Sequence, residues 1–168
     1  MASHLQNKHG ELLKLAWVSL DYGQVRALNN IHLVLSYSEI LAIVGEHGAG
    51  KSSLGLIING ILQPTAGTIR FEGKQYHSLT VTNALKLGIR MIYQQVRLYD
   101  DFTVAENLFL TNKTFNRFVW STKKRFLEAA SSLLSQYDFD IAPSTPVKNL
   151  NLSDKTVVEI LKHIYHRP

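Results

Sequence analysis

The residue pattern predicts an α/β fold with its strands toward the N-terminal side and helices toward the C-terminal side. Three observations carry this. Residues 40–44, Ile40-Leu41-Ala42-Ile43-Val44, form a continuous apolar run ended by Gly45, as expected of a strand buried on both faces in a parallel sheet. A glycine-rich loop follows, and over 51–61 the pattern turns helical. Beyond residue 95 the apolar spacing is helical almost throughout.

The elements can be justified in order. Residues 12–20 alternate imperfectly and read as a strand. Ile31, Leu33 and Leu35 fall on one side of a second strand, with His32 between them. Pro64 and Gly67 punctuate a turn before a short strand over 68–71, closed by Glu72-Gly73. A short helix over 81–87 stops at Gly88, and 89–93 is a short apolar strand. Thr103 and Glu106 have capping-box spacing and start a helix that runs to about Leu110. Ser121 is the expected cap of a longer helix whose inner face carries Phe126, Ala130, Leu133, Leu134 and Tyr137. Residues 138–146, with two prolines, read as a linker. Ser153 is the expected cap of the last helix, with Val157, Ile160, Leu161 and Ile164 as its buried stripe.

Composition bounds the function. The 168 residues are 45% hydrophobic and 18% charged, which suits one domain with a real core. Cysteine is absent, so disulfides and cysteine-ligated metals are excluded. The first ten residues are polar and lack the apolar core of a signal peptide, and no apolar run approaches bilayer-spanning length. The formal net charge is +5, and Lys123, Lys124 and Arg125 read as a solvated helix face. No basic stripe interleaved with aromatics points to nucleic acid. The seven histidines show no metal-ligand spacing.

The chemistry concentrates at Gly45-Glu46-His47-Gly48-Ala49-Gly50-Lys51-Ser52, a full match to G-x-x-x-x-G-K-[ST]. A triphosphate needs many donors at short range. Glycines let the backbone turn its N–H groups inward, and the helix that follows adds its positive end. Lys51 can bridge the β- and γ-phosphates, Ser52 can ligate Mg²⁺, and Ser53 can donate to the α-phosphate. Four fixed positions arise by chance in a chain this long at roughly half a percent. The strand pattern before the loop and the helix pattern after it are the context that the motif requires.

Further runs narrow the class. They are Asp21-Tyr22-Gly23 with Val25-Arg26-Ala27-Leu28, then Leu62-Gln63-Pro64-Thr65-Ala66-Gly67-Thr68-Ile69-Arg70-Phe71-Glu72-Gly73-Lys74. Gly88-Ile89-Arg90-Met91-Ile92-Tyr93-Gln94 and Thr103-Val104-Ala105-Glu106-Asn107-Leu108-Phe109-Leu110 follow. With the loop, these resemble the first part of the ATP-binding subunit of an ABC transporter, most of all the sugar-importer branch. The resemblance runs from about Leu13 to Lys162. It implies a P-loop NTPase fold of ABC type with an N-terminal antiparallel β subdomain and a helical subdomain. The single domain would divide at about 11–94 and 95–164.

The resemblance implies site residues too. Tyr22 matches the aromatic residue that stacks on adenine. Gln94 matches the glutamine that reaches Mg²⁺ and the attacking water, with Gln95 a rival by one place. ATP and Mg²⁺ are the implied cofactors. The implied partners are transmembrane permease subunits, a second nucleotide-binding domain held head-to-tail and, indirectly, a solute-binding protein. The implied location is the cytoplasmic side, peripheral on the inner face of the cell membrane.

Two departures qualify this. The signature run of the family is matched by Leu150-Asn151-Leu152-Ser153-Asp154, where Asn151 replaces the serine and Asp154 brings negative charge toward a phosphate. A weakened composite site is expected. Nothing after Ser153 resembles the apolar strand ending in Asp-Glu or the later switch histidine, so the parallel sheet is expected to be incomplete and hydrolysis inefficient. The alternatives are a non-hydrolysing ATP-binding module and a small-molecule kinase. Kinases with this loop usually open on it, whereas 44 residues precede it here.

Overall fold

A computed structural model describes residues 10–109 and 119–165. The chain divides into two compact units, Met1–Met91 and Ile92–Pro168.

In the first unit, β1 (Glu11–Tyr22), β2 (Val25–Ser36), β3 (Ala66–Phe71) and β4 (Lys74–Tyr76) make one antiparallel sheet in the order β2-β1-β3-β4. The imperfect alternation of the first strand has a physical cause. Leu13 and Leu15 are buried, then Val18 and Leu20, so the inward face moves from odd to even positions. A β-bulge between Leu15 and Val18 absorbs the extra residue, with Trp17 at φ 57. Ile31, Leu33 and Leu35 of β2 pack on the core as expected, and His32 is exposed. Glu72 and Gly73 both take positive φ, the geometry of a two-residue hairpin turn, and lead into β4, which the sequence pattern had not suggested.

Helix α1 (Lys51–Ile58) lays Leu54 and Ile57 on the inner face of this sheet. It stops three residues short of the expected end. The Gly60 and Ile61 amides donate to the Ile57 and Leu56 carbonyls, closing a Schellman motif. Gly60 sits at φ 76, and a Cβ there would stand 2.4 Å from the Thr80 carbonyl carbon. Helix α2 (Val81–Lys86) is capped by the Thr80 hydroxyl, and Gly88 ends it as expected.

Two expected strands do not form. Residues 40–44 are irregular, with Ile40 98% and Val44 87% exposed. No strand forms over 89–93 either. A strand buried on both faces needs ladder partners at its sides and cover above and below. The strands described here are all committed to the antiparallel sheet, and none pairs with either run.

The second unit holds α3 (Val104–Phe109), α4 (Val119–Gln136), a 3₁₀ turn (Val147–Asn149) and α5 (Leu152–Tyr165). Thr103 and Glu106 close the expected capping box: the Thr103 amide donates to Glu106 Oε2 at 2.8 Å, and the Glu106 amide to Thr103 Oγ1 at 3.2 Å. Leu110 lies outside the described residues. Phe126, Ala130, Leu133 and Leu134 of α4 are buried against α3 and α5 residues, but Tyr137 is exposed at the helix C-terminus. Ser121 falls inside α4 rather than at its start. Lys123, Lys124 and Arg125 are exposed. In α5 the buried face is Val158, Glu159 and Leu161, while Ile160 is exposed and Val157 and Ile164 are half-buried.

The cap of α5 also differs. Asn151 caps it, with its Oδ1 accepting from the Asp154 amide at 2.8 Å and its amide donating to Asp154 Oδ2 at 2.9 Å. Ser153 sits in the first turn. Asp154, three residues on, fixes the Asn151 side chain in this role by accepting from its amide nitrogen.

Candidate functional site

The glycine-rich loop is placed by packing. Gly50 takes φ 83, and a Cβ on it would lie 2.5 Å from the Ala27 carbonyl oxygen and 2.7 Å from Leu28 Cδ2. The end of the loop is therefore pressed against β2, which only glycine allows. Gly48 takes φ 84 but has open space around it. The loop turns on an Ala49 amide bond to the Glu46 carbonyl at 3.2 Å. Lys51 Nζ donates to the carbonyls of Gly45 and Glu46 at 2.8 and 2.6 Å, so the ammonium is held against the loop backbone. Gly45, Glu46, His47, Gly48, Ala49 and Ser52 are exposed; Gly50, Lys51 and Ser53 are half-buried.

Helix α1 begins on Gly50, which offers no side-chain cap, and its first turn holds no acidic residue. The first N–H groups of a helix need acceptors. Here their own side chains supply none, a lysine stands beside them, and the field at this end is positive. These residues fit a polyphosphate. A metal would find fewer ligands: no group of three or more His, Cys, Asp or Glu gathers among the described residues.

Tyr22 ends β1 and pairs with Val25 across the Gly23-Gln24 turn. The neighbouring Asp21 is gripped by Arg26, whose Nε and Nη2 donate to the carboxylate at 2.8 and 3.3 Å. That hydrogen bond first, and the guanidinium charge behind it, hold the Asp21 carboxyl below the usual carboxylate range. The Asp21 amide donates to Thr65 Oγ1 at 2.9 Å. The Tyr22 ring is half exposed, and its hydroxyl stands 3.4 Å from Ser53 Oγ in the first turn of α1. Thus Tyr22, the loop, Lys51, Ser52 and Ser53 come together in the first unit.

Gln94 belongs to the second unit, where it and Gln95 are both exposed in a bend. They line a cavity of about 370 Å³ with Asp100, Leu152 and Lys155. Lys155 is paired with Asp100 at 3.2 Å. One residue here was not singled out from the sequence: Asn107, only 2% exposed. Its Nδ2 donates to the carbonyls of Tyr99, Phe102 and Thr103 at 3.0, 3.3 and 3.1 Å, and its Oδ1 accepts from the Tyr99 amide at 2.8 Å. An asparagine on the inner face of a short apolar helix was its signal.

Comparison with known proteins identifies the family and the fold. The family described as "ABC transporter" matches residues 28–168. The ribose import ATP-binding protein RbsA of Clostridium perfringens (strain SM101 / Type A) is 35% identical over 152 residues, covering 90% of this chain and 30% of that protein. A putative ribose/galactose/methyl galactoside import ATP-binding protein of Agrobacterium fabrum is 36% identical over 150 residues, covering 89% and 30%. The chain spans about 30% of the length of these curated relatives. Among solved structures, a nucleotide-free ATP-binding cassette from an ABC transporter superposes with a TM-score of 0.77 at 21% identity, over 95% of this chain and 66% of that one. The dimeric cassette MJ0796 bound to ADP and Pi superposes with a TM-score of 0.70 at 23% identity, over 94% and 71%. These likenesses establish the fold as that of ABC ATPase cassettes, and the match over residues 28–168 establishes that the chain belongs to the ABC transporter family.

Proposed function

We propose that the chain is the nucleotide-binding part of an ABC importer ATPase for a sugar or related solute, and that it binds Mg-ATP at residues 45–53. One observation carries this reading: an uncapped α1 N-terminus with no acid in its first turn, faced by a glycine loop and Lys51. On this reading Lys51 leaves the Gly45 and Glu46 carbonyls for the phosphates, the loop amides and Ser53 donate to them, and Tyr22 stacks on the base. Ser52 would ligate Mg²⁺. When bound, Mg-ATP supplies the free energy of its phosphoanhydride bond. The two units would be the β and P-loop subdomain and the helical subdomain of one nucleotide-binding domain.

The names of the relatives support the importer assignment, and the dimeric MJ0796 cassette supports a second nucleotide-binding domain as a partner. Permease subunits would anchor the complex on the inner face of the membrane. No helix among the described residues is long and apolar enough to cross it. The test is titration with a fluorescent ATP analogue: Lys51→Ala should weaken binding at least tenfold. Unchanged affinity would reject the site.

One observation favours a second reading, that of a non-hydrolysing binding module. At α5 the Asn151 side chain caps the helix N-terminus and holds the Asp154 carboxylate in its first turn. A steady-state ATPase assay decides between the two. Turnover well above the Lys51→Ala control would reject the non-hydrolysing reading.

A further inference from the structure

The strand-end aromatic and the phosphate loop are joined by an interaction that neither motif announces. The backbone of Tyr22 is fixed on both sides. Asp21 is tied to Arg26 and Thr65, and Val25 pairs across a turn in which Gly23 takes φ 59. Two residues after the Arg26–Asp21 pair, Leu28 is buried in the core, and the Ala27 carbonyl and Leu28 side chain leave no room for a Cβ on Gly50. The hairpin tip and the start of α1 are therefore one packed mount. The half-exposed Tyr22 ring projects from it, and its hydroxyl reaches Ser53 Oγ at 3.4 Å. Ser53 sits on the third residue of α1, half-buried.

We infer that Ser53 is a positioning residue for the Tyr22 ring: its hydroxyl fixes the ring tip over the first turn of α1 and so sets the plane offered to a base. This rests on the reading of residues 45–53 as a nucleotide site. A tyrosine ring held only at its Cβ samples several rotamers, and each unproductive one weakens stacking. A second attachment at the hydroxyl removes that freedom before the ligand arrives. The consequence is specific. The serine hydroxyl contributes to recognition of the base, through Tyr22, as well as to any contact it makes with phosphate.

The experiment compares two ligands on the full 168-residue chain, ATP and inorganic tripolyphosphate, by calorimetric or competition titration. Tripolyphosphate has no base, so the ratio of the two association constants isolates the base-dependent part. Tyr22→Phe keeps the ring and removes the hydroxyl, and should lower the ratio about threefold, the lower end of what one neutral hydrogen bond contributes. Ser53→Ala should lower it by a similar factor, Ser53→Thr should restore it, and the double variant should fall no further than either single one. A merely structural role for Ser53 would move both ligands alike and leave the ratio unchanged. An unchanged ratio in Tyr22→Phe, or factors that multiply in the double variant, would overturn the inference. Its failure is separable from failure of the site itself, because Lys51→Ala must weaken both ligands if the site is right, whatever the ratio does.

Discussion

Gly48 and Gly50 share nearly the same backbone angle, φ 84 and φ 83, but differ in surroundings. The pair separates two costs that are usually measured together. Alanine at either position must adopt a left-handed conformation, which costs about 1 kcal/mol for an L-residue. At Gly48 nothing lies within 4 Å of the new methyl, so the cost ends there. At Gly50 the methyl would stand 2.5 Å from a backbone oxygen that belongs to β2 and cannot swing aside. Overpacking of this kind adds about 1–3 kcal/mol. Gly50→Ala should therefore destabilise the first unit by about 2–4 kcal/mol, against about 1 kcal/mol for Gly48→Ala. Native-state hydrogen exchange reads this directly. The Leu54 amide, bonded to the Gly50 carbonyl at 2.9 Å, reports the start of α1, and the β1 amides report opening of the unit. Equal losses for the two variants, or a larger loss for Gly48→Ala, would refute the close approach of the loop to β2.

Other consequences are as direct. Asn107→Ala takes the Nδ2 donor from three carbonyls that each keep a backbone donor and leaves the Tyr99 amide without its acceptor, and should cost about 1–3 kcal/mol in urea unfolding; Asn107→Asp should cost more, because it sets a buried carboxylate oxygen against those carbonyls. Asn151→Ala should cost about 1 kcal/mol, and Asn151→Ser less, while Ser153→Ala should stay within about 0.5 kcal/mol because Ser153 is not the cap. Because Arg26 lowers the Asp21 carboxyl from its ordinary 3.8, the pair's contribution to the hairpin tip is complete above that value and is lost as pH falls through the folded value below it. An NMR titration should show this midpoint rising in Arg26→Gln.

What was legible in the sequence was whatever a few neighbouring residues decide. The Thr103–Glu106 box, the Gly88 stop and the start of a helix at Lys51 are local, and each stands where its residues predict. The second strand was legible because Ile31, Leu33 and Leu35 alternate cleanly, and the first only roughly, because a bulge reverses its parity midway. The run at 40–44 reads as a buried strand from its residue types alone, yet burial is a property of neighbours, and Ile40 and Val44 have none to cover them. Tyr137 and Ile160 lie on helical periods that pass near the buried stripe; a short register difference puts them outside it. The approach of Tyr22 to Ser53 spans 31 positions and depends on how the hairpin packs on α1, so no local pattern encodes it.

The α1 and α5 N-termini show why one carries the functional reading and the other does not. A helix start that serves only stability takes Ser, Thr, Asp or Asn at its cap and an acid in its first turn, worth about 1 kcal/mol for the cap alone. Helix α5 does this with Asn151 and Asp154, and its first amides face the chain's own oxygens. Helix α1 forgoes both. Its cap is a left-handed glycine, its first turn has no acid, and Lys51 adds a positive charge at an end that is already positive. Within the described residues that arrangement gives the close packing on β2 and the two Lys51 bonds to the loop carbonyls. A positive charge is unfavourable at a helix N-terminus, and on the proposed reading a bound anion turns that loss into a gain. At α5 the balance is already closed, since a phosphate arriving there would meet the Asp154 carboxylate and would have to displace it from Asn151. The same comparison explains why Lys51→Ala is the sharper test of the site. It removes a charge that has no partner carboxylate among the described residues, and so separates a binding role from a stabilising one.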